Sequence, residues 1–247
     1  MPSVFLSPST QSYNEYITGG TEKEHMQRLA DAMEPFLDLA GIAYARNDPD
    51  GDVRKSVEMS NAGDYDLHLA LHSNAAPEGH AGEYSGPLVL YNPNDQKGER
   101  FAELEAQALA DIYPQHGKVL LRPATNLYEL RETKAPTAFV EVAYHDNPED
   151  AKWIEEATVA IADHLTQGLA EYFGLPYARQ DTPRAAVVNV KEGPLNVRRL
   201  PGIEYQKIAQ LRKGEGVTVL RRIPGWSYVR LPDGDAGYSA SQYLRGI

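Results

Sequence analysis

The chain has 247 residues, a formal net charge of −11 and no cysteine, which excludes disulfides and leaves any metal to histidine and carboxylate. No apolar run approaches the ~20 residues of a membrane helix, and "MPSVFLSPSTQ" lacks the basic, then apolar, start of a secretory signal, so neither a span nor a signal peptide is expected. Charge is unevenly placed: from Arg184 onward there are 11 basic and 5 acidic residues, a net of +6, which leaves 13 basic and 30 acidic before it, a net of −17. An acidic body without a basic-aromatic stripe is a poor fit to nucleic acid.

Strand and helix signals alternate through the first 175 or so residues. "VFLS" reads as a short buried strand. Thr21 and Glu24 form a capping box that opens a helix carrying Met26, Leu29, Met33, Phe36 and Leu37 at helical spacing, ended by Gly41. "IAYAR", a helical "VRKSVEMSNAG" and the strand "DLHLALH" follow, then "GPLVLYN", the helix "GERFAELEAQALADIY" and the strand "TAFVEVAYH". Asn147-Pro148 opens a last helix running to about Phe173. This alternation predicts an α/β domain, a mostly parallel sheet flanked by helices, over residues 1–176. A Pro- and Gly-bearing linker is placed at 177–185. Residues 186–247 carry short strands broken by Gly and Pro, the pattern of a small all-β barrel.

Ligands gather where the strands of an open α/β sheet end, and three ionisable residues are expected there. In "YDLHLALHSNAAP" the alternation of a strand puts His68, Ala70 and His72 on one face, with His72 at the strand's end. His68 lies ~13 Å further down the strand, too far to share a metal with His72, and reads as packing. Glu141 stands between Val140 and Val142 in a buried strand, where a carboxylate is costly unless paired, ligated or catalytic. Glu22 begins the first long helix, where an acidic residue is also favoured simply by the helix dipole.

The segments "TEKEHMQRLADAM", "YDLHLALHSNAAP" and "LYELRETKAPTAFVEVAYHDNPEDAKWI", in this order, resemble the zinc-dependent N-acetylmuramoyl-L-alanine amidases, which are cell-wall hydrolases. The resemblance spans roughly residues 3–173 and implies zinc as cofactor, with Glu22 and His72 as ligands and Glu141 as the catalytic residue. It also implies substrate contacts at Asn74 and Arg131. One position departs: the family's histidine ligand at the end of the first strand is replaced by Thr10, in "SPSTQ". His145 is the first candidate for the third ligand and His25, one turn after Glu22, the second; the alternative is that no histidine replaces it. His80, His116 and His164 read as loop or surface residues.

The C-terminal segments "LNVRRLPG", "KGEGVTVL", "GWSYVRL" and "GDAGYSASQYL" resemble the bacterial SH3-like domains joined to many wall hydrolases. This implies wall binding, with Tyr205, Trp226, Tyr228 and Tyr238 as groove residues, and the net +6 suits an anionic wall polymer. The expected reaction is cleavage of the amide between the lactyl group of N-acetylmuramic acid and the L-alanine of the stem peptide of peptidoglycan. The expected place of action is the cell wall or outside the cell, reached without a signal peptide, whether as a phage lysin or a host autolysin. Two rivals stand beside it: a non-catalytic wall binder with a degenerate amidase body, motivated by Thr10, and a zinc stem peptidase on the same scaffold.

Overall fold

The computed structural model describes residues 1–177, 184–198, 201–203, 205–223 and 225–246, so most of the expected linker lies outside the described residues. The chain divides into two compact units, Met1–Pro176 and Tyr177–Ile247.

Unit 1 contains six strands, β1 (Ser3–Pro8), β2 (Ala43–Arg46), β3 (Leu67–Asn74), β4 (Leu88–Tyr91), β5 (Leu120–Pro123) and β6 (Thr137–Tyr144). Its helices are α1 (Glu22–Ala40), α2 (Val53–Ala62), α3 (Gln96–Ala110), α4 (Tyr128–Glu132) and α5 (Pro148–Tyr172). The sheet runs in the order β2-β1-β3-β6-β4-β5. The pairs β1–β2, β1–β3, β3–β6 and β4–β5 are parallel, and β4–β6 is antiparallel. The reversal has a local cause. The loop between β3 and β4 contains no crossover helix, and only parallel neighbours require one.

The central strands are sealed on both faces, as interior strands of parallel sheets are. In β3 every residue from Leu67 to Ser73 is buried. Helix α1 starts with the expected capping box: the Thr21 hydroxyl accepts from the Glu24 amide, and the Thr21 amide donates to the Glu24 carboxylate. It ends on Gly41 at φ 71°, a left-handed conformation that a Cβ would oppose. Met26, Leu29, Met33, Phe36 and Leu37 are all buried, as their spacing predicts. Helix α5 is capped by Asn147, which accepts from the amides of Glu149 and Asp150, with Pro148 in the first turn.

One buried carboxylate lies away from the site. Glu105 of α3 is fully buried, and neither of its oxygens has a hydrogen-bond partner among the described residues. It packs against Gly168 of α5, where an added Cβ would meet its Oε1 at 2.8 Å. Burial pushes its pKa well above the usual carboxylate range. A carboxyl raised in the folded state favours folding fully below its unfolded pKa, and this contribution is lost as pH rises through the folded value. Glu105→Met is therefore expected to raise the melting temperature more at pH 8 than at pH 5, at roughly 2–4 °C for each kcal/mol recovered. Thermal melts at the two pH values check this, and equal shifts would contradict it.

Unit 2 is an antiparallel all-β region built from β7 (Arg184–Val188), β8 (Leu195–Arg198), β9 (Lys207–Leu211), β10 (Gly216–Ile223), β11 (Trp226–Arg230), β12 (Ala236–Ala240) and β13 (Leu244–Gly246). Its strand order is β13-β7-β10-β11-β12-β8-β9, and its core gathers Val188, Val197, Leu211, Val219 and Val229 among others.

Candidate active site

Strand β3 pairs with β6 in a register that puts His72 beside Glu141 and Ala70 beside Phe139. In a parallel pair these neighbours share a face, so the two candidates read from separate motifs stand side by side at the end of the sheet. The His72 ring stacks on Phe139 with centroids 4.4 Å apart. Helix α1 brings Glu22 to the same place, its Oε1 lying 2.8 Å from His72 Nδ1. Asn14 donates to the other Glu22 oxygen at 2.6 Å, and the Ser73 amide donates to Oε1 at 3.3 Å.

A fourth residue enters that was not expected. Glu129, in the first turn of α4, is 2 % exposed. Its Oε2 lies 3.3 Å from His72 Nε2, and its Oε1 lies 3.1 Å from His68 Nε2 and accepts from the Ser7 hydroxyl at 2.5 Å. His68, read as packing, is buried against Phe5 and bonded through Nδ1 to Ser60. It also belongs to this network, because the two rings, from strand positions ~13 Å apart, lean together onto the one carboxylate. A glutamate in "YELRE" looks like any helix-surface residue, so only its position relative to β3 gives it away.

The charges follow from these distances. Burial alone would lower the His72 pKa, but the flanking carboxylates Glu129 and Glu22 outweigh it and raise the pKa to about 10. For Glu129, burial is outweighed by hydrogen bonds from both histidines, which hold its carboxyl well below the usual range. Glu141 goes the other way. It is half-buried, but its Oε2 is closed to solvent and has no hydrogen-bond partner among the described residues. Burial raises its pKa to about 7; the carboxylates of Glu22 and Glu129 add to the rise, and His72 opposes it.

Beside this cluster opens a pocket of about 450 Å³, whose lining includes Ser9, Thr10, Gln11, Asp52, His72, Tyr128 and Glu129. Size and mixed polar and aromatic lining suit part of a sugar or peptide.

Residues 10–171 match the family model described as N-acetylmuramoyl-L-alanine amidase. The chain belongs to that family. Its members cleave peptidoglycan and generally depend on zinc. Residues 193–245 match the bacterial SH3 domain model. Among solved structures, the chain is similar to the amidase AmiC2 of Nostoc punctiforme, with 19% identity, a TM-score of 0.61, and coverage of 70% of this chain and 97% of that one. It is also similar to the CwlD amidase of Clostridioides difficile, solved with the GerS lipoprotein, at 12% identity and a TM-score of 0.63, covering 70% and 99%. The catalytic domain of the CD27L endolysin gives 18% identity and a TM-score of 0.57, covering 69% and 98%. At these identities the likeness speaks for the fold. A curated relative, the uncharacterised protein CPE1502 of Clostridium perfringens, is 22% identical over 214 residues, covering 80% of this chain. The chain spans 62% of the length of that relative.

The donors of this family member fit zinc in kind but not in number. An imidazole nitrogen and a carboxylate oxygen face each other across 2.8 Å, a hydrogen-bond distance. A proton can serve there, and the same pair is a donor set that zinc takes. Among the described residues, however, no group of three His, Asp or Glu could hold a metal ion. Thr10 lines the pocket. His145, the expected third ligand, lies just beyond β6, and its Nδ1 is 3.0 Å from the Ser73 carbonyl and 3.1 Å from the Ser73 hydroxyl. A carbonyl only accepts, so Nδ1 carries the hydrogen, and only Nε2 remains to act as a donor atom to a metal. His25 is bonded to the Gly19 carbonyl at 3.0 Å. Tyr16 stacks on both histidines, at 3.9 Å from His25 and 5.4 Å from His145.

The two expected substrate contacts sit at the edges. Asn74 closes β3, and its side chain accepts from the Ala75 amide. Arg131 lies over the Tyr128 ring at 5.8 Å and pairs with Glu132 at the surface.

In unit 2, Trp226 and Tyr243 line a pocket of about 1040 Å³ together with Lys191, Arg198 and Lys213. Tyr238, expected in a groove, is 1 % exposed and packs against Tyr228 in the interior. It stands across from Tyr228 in the β11–β12 pair, and Gly237 and Ser239 on either side of it are buried as well.

Proposed function

We propose that the chain hydrolyses the amide between the lactyl group of N-acetylmuramic acid and the L-alanine of the stem peptide, with Glu141 as the proton carrier. The observation behind this is the Glu141 carboxyl itself, held beside His72 with one oxygen unpartnered and a pKa near neutrality. Such a group can take a proton from an attacking water and hand it to the departing amine, and the best efficiency comes when its pKa lies near the working pH. Glu22 and His72 would hold zinc, which supplies polarisation of the scissile carbonyl when bound. Phe139 fixes the His72 ring by stacking, and Asn14 fixes the outer oxygen of Glu22. His145 as a third donor, through Nε2, and Asn74 and Arg131 as substrate contacts complete this reading.

Unit 2 would hold the chain on the wall. Three basic residues against one acidic, Glu192, beside Trp226 and Tyr243 around one pocket leave a net positive lining, which suits an anionic wall polymer or the carboxylates of stem peptides. The place of action would then be the wall. Among the described residues no helix is long and apolar enough to cross a membrane.

Purified peptidoglycan digested with the full chain, followed by mass spectrometry of the products, tests the reading. New L-alanine amines with intact lactyl-sugars are expected. New amines further along the stem would mean a peptidase. Wall binding without any cleavage would favour the degenerate, non-catalytic alternative that Thr10 motivates.

A further inference from the structure

The pocket beside the cluster has no task in the reaction as proposed. His72 is among its lining residues and Glu141 is not, so it flanks the chemistry on one side. Its walls come from the end of β1 and the loop after it, the residue after β2, and the first turns of α2 and α4. Asn47, 5 % exposed, ties two of those walls together: its Nδ2 donates to the Pro8 carbonyl and to the Ser56 hydroxyl, each at 2.9 Å. The cavity is therefore formed before any ligand arrives, as small-molecule sites usually are.

Charge decides between a sugar and a peptide. Among the described residues no lysine or arginine lines the pocket, while two carboxylates do, Asp52 and Glu129. His72 already lies between Glu22 and Glu129. Arg54 and Arg131 stand over the Tyr128 ring at 5.5 and 5.8 Å, and neither belongs to the lining. The carboxylates of a stem peptide would meet like charge here, which is costly. What the pocket offers instead is acceptors and an aromatic surface. Asp52 gives one oxygen to the Lys55 amide and keeps the other, and Thr10 adds a hydroxyl; both take hydrogen bonds from hydroxyl groups. Tyr13 belongs to the lining although it is 77 % exposed. Its hydroxyl donates to Gln11 Oε1 at 2.9 Å, and Asn14 donates to the same oxygen at 3.0 Å. A large ring pinned in water presents apolar surface for a ligand to cover.

Hydroxyls that donate and C–H faces that stack are the chemistry of a pyranose. We infer that this pocket binds an uncharged sugar ring of the glycan strand, stacked on Tyr13 and hydrogen-bonded to Asp52 and Thr10, with the stem peptide lying on the other side of the cluster. The inference deepens the reading above and rests on it for the identity of the strand.

The binding test uses amide spectra of the full chain, labelled with nitrogen-15, and two probes: the trimer of N-acetylglucosamine, which is uncharged, and the free stem peptide. The trimer is expected to shift the amides of Thr10, Tyr13 and Val53, and the peptide to leave them unmoved. Shifts of these amides by the peptide alone, by neither probe, or by the trimer only in unit 2 would overturn the inference. The kinetic test compares a disaccharide-peptide with the lactyl-peptide that lacks the sugars. Tyr13→Ala and Thr10→Val, each checked by its melting temperature, are expected to lower kcat/KM on the first about 3–10-fold more than on the second. An equal loss on both substrates is what a purely structural role predicts, and it would count against the sugar. Failure of the amidase reading shows separately, as a chain that binds the trimer at those amides and leaves the lactyl amide intact.

Discussion

Glu141→Gln is expected to lower kcat on muropeptides by about 10²–10⁴-fold, the usual worth of a positioned general base, while leaving the melting temperature unchanged or higher. The substitution keeps the shape and removes only the ability to carry a proton. Glu141 Oε2 is closed to solvent without a partner among the described residues, and burial already penalises its ionised form. A neutral amide avoids that penalty, so no loss of stability should accompany the loss of rate. Steady-state kinetics and a thermal melt on the same preparation check both halves. A kcat within tenfold of wild type would remove Glu141 from the chemistry.

Asp150→Ala is expected to cost unit 1 about 3–5 kcal/mol, the sum of lost charge-assisted hydrogen bonds and of donors left unpaired in the interior. Asp150 is 1 % exposed, in the first turn of α5. One of its oxygens accepts from the amides of Gly86 and Tyr144, and the other from the Tyr113 hydroxyl at 2.6 Å. It therefore ties the end of β6 to the turn before β4 and to the segment after α3. At roughly 2–4 °C per kcal/mol, a drop of about 10 °C in the melting temperature should be seen. A change under 2 °C would mean that water replaces those contacts without cost.

The parts of this site that could be read in advance are those governed by short-range rules. Alternation along a strand put His68 and His72 on one face, and the capping box put Glu22 at the start of a helix. The apolar neighbours of Glu141 marked its strand as buried. None of these rules depends on what lies across the sheet. Glu129 could not be found that way. Five residues of helix with two glutamates and an arginine have no local feature that separates the buried carboxylate from the exposed one, Glu132. The register of β4 was hidden for a similar reason, since direction depends on how the preceding loop returns.

The sequence by itself determined the order of the strands and helices other than β5 and α4, the two-part organisation, and the presence of Glu22, His72 and Glu141, though not Glu129, at the end of the sheet. Hydrophobic periodicity and turn chemistry act within a few residues, and these features need nothing more. Only the tertiary structure decided how the charges are shared. It joined His72 to two carboxylates instead of one, drew His68 into the network, and set His145 on Ser73 just beyond the end of β6. The physical reason is that a buried ionisable group takes its pKa and its tautomer from partners within about 3 Å. In this protein those partners come from as far as 122 residues away in the chain, as Glu129 does for Ser7.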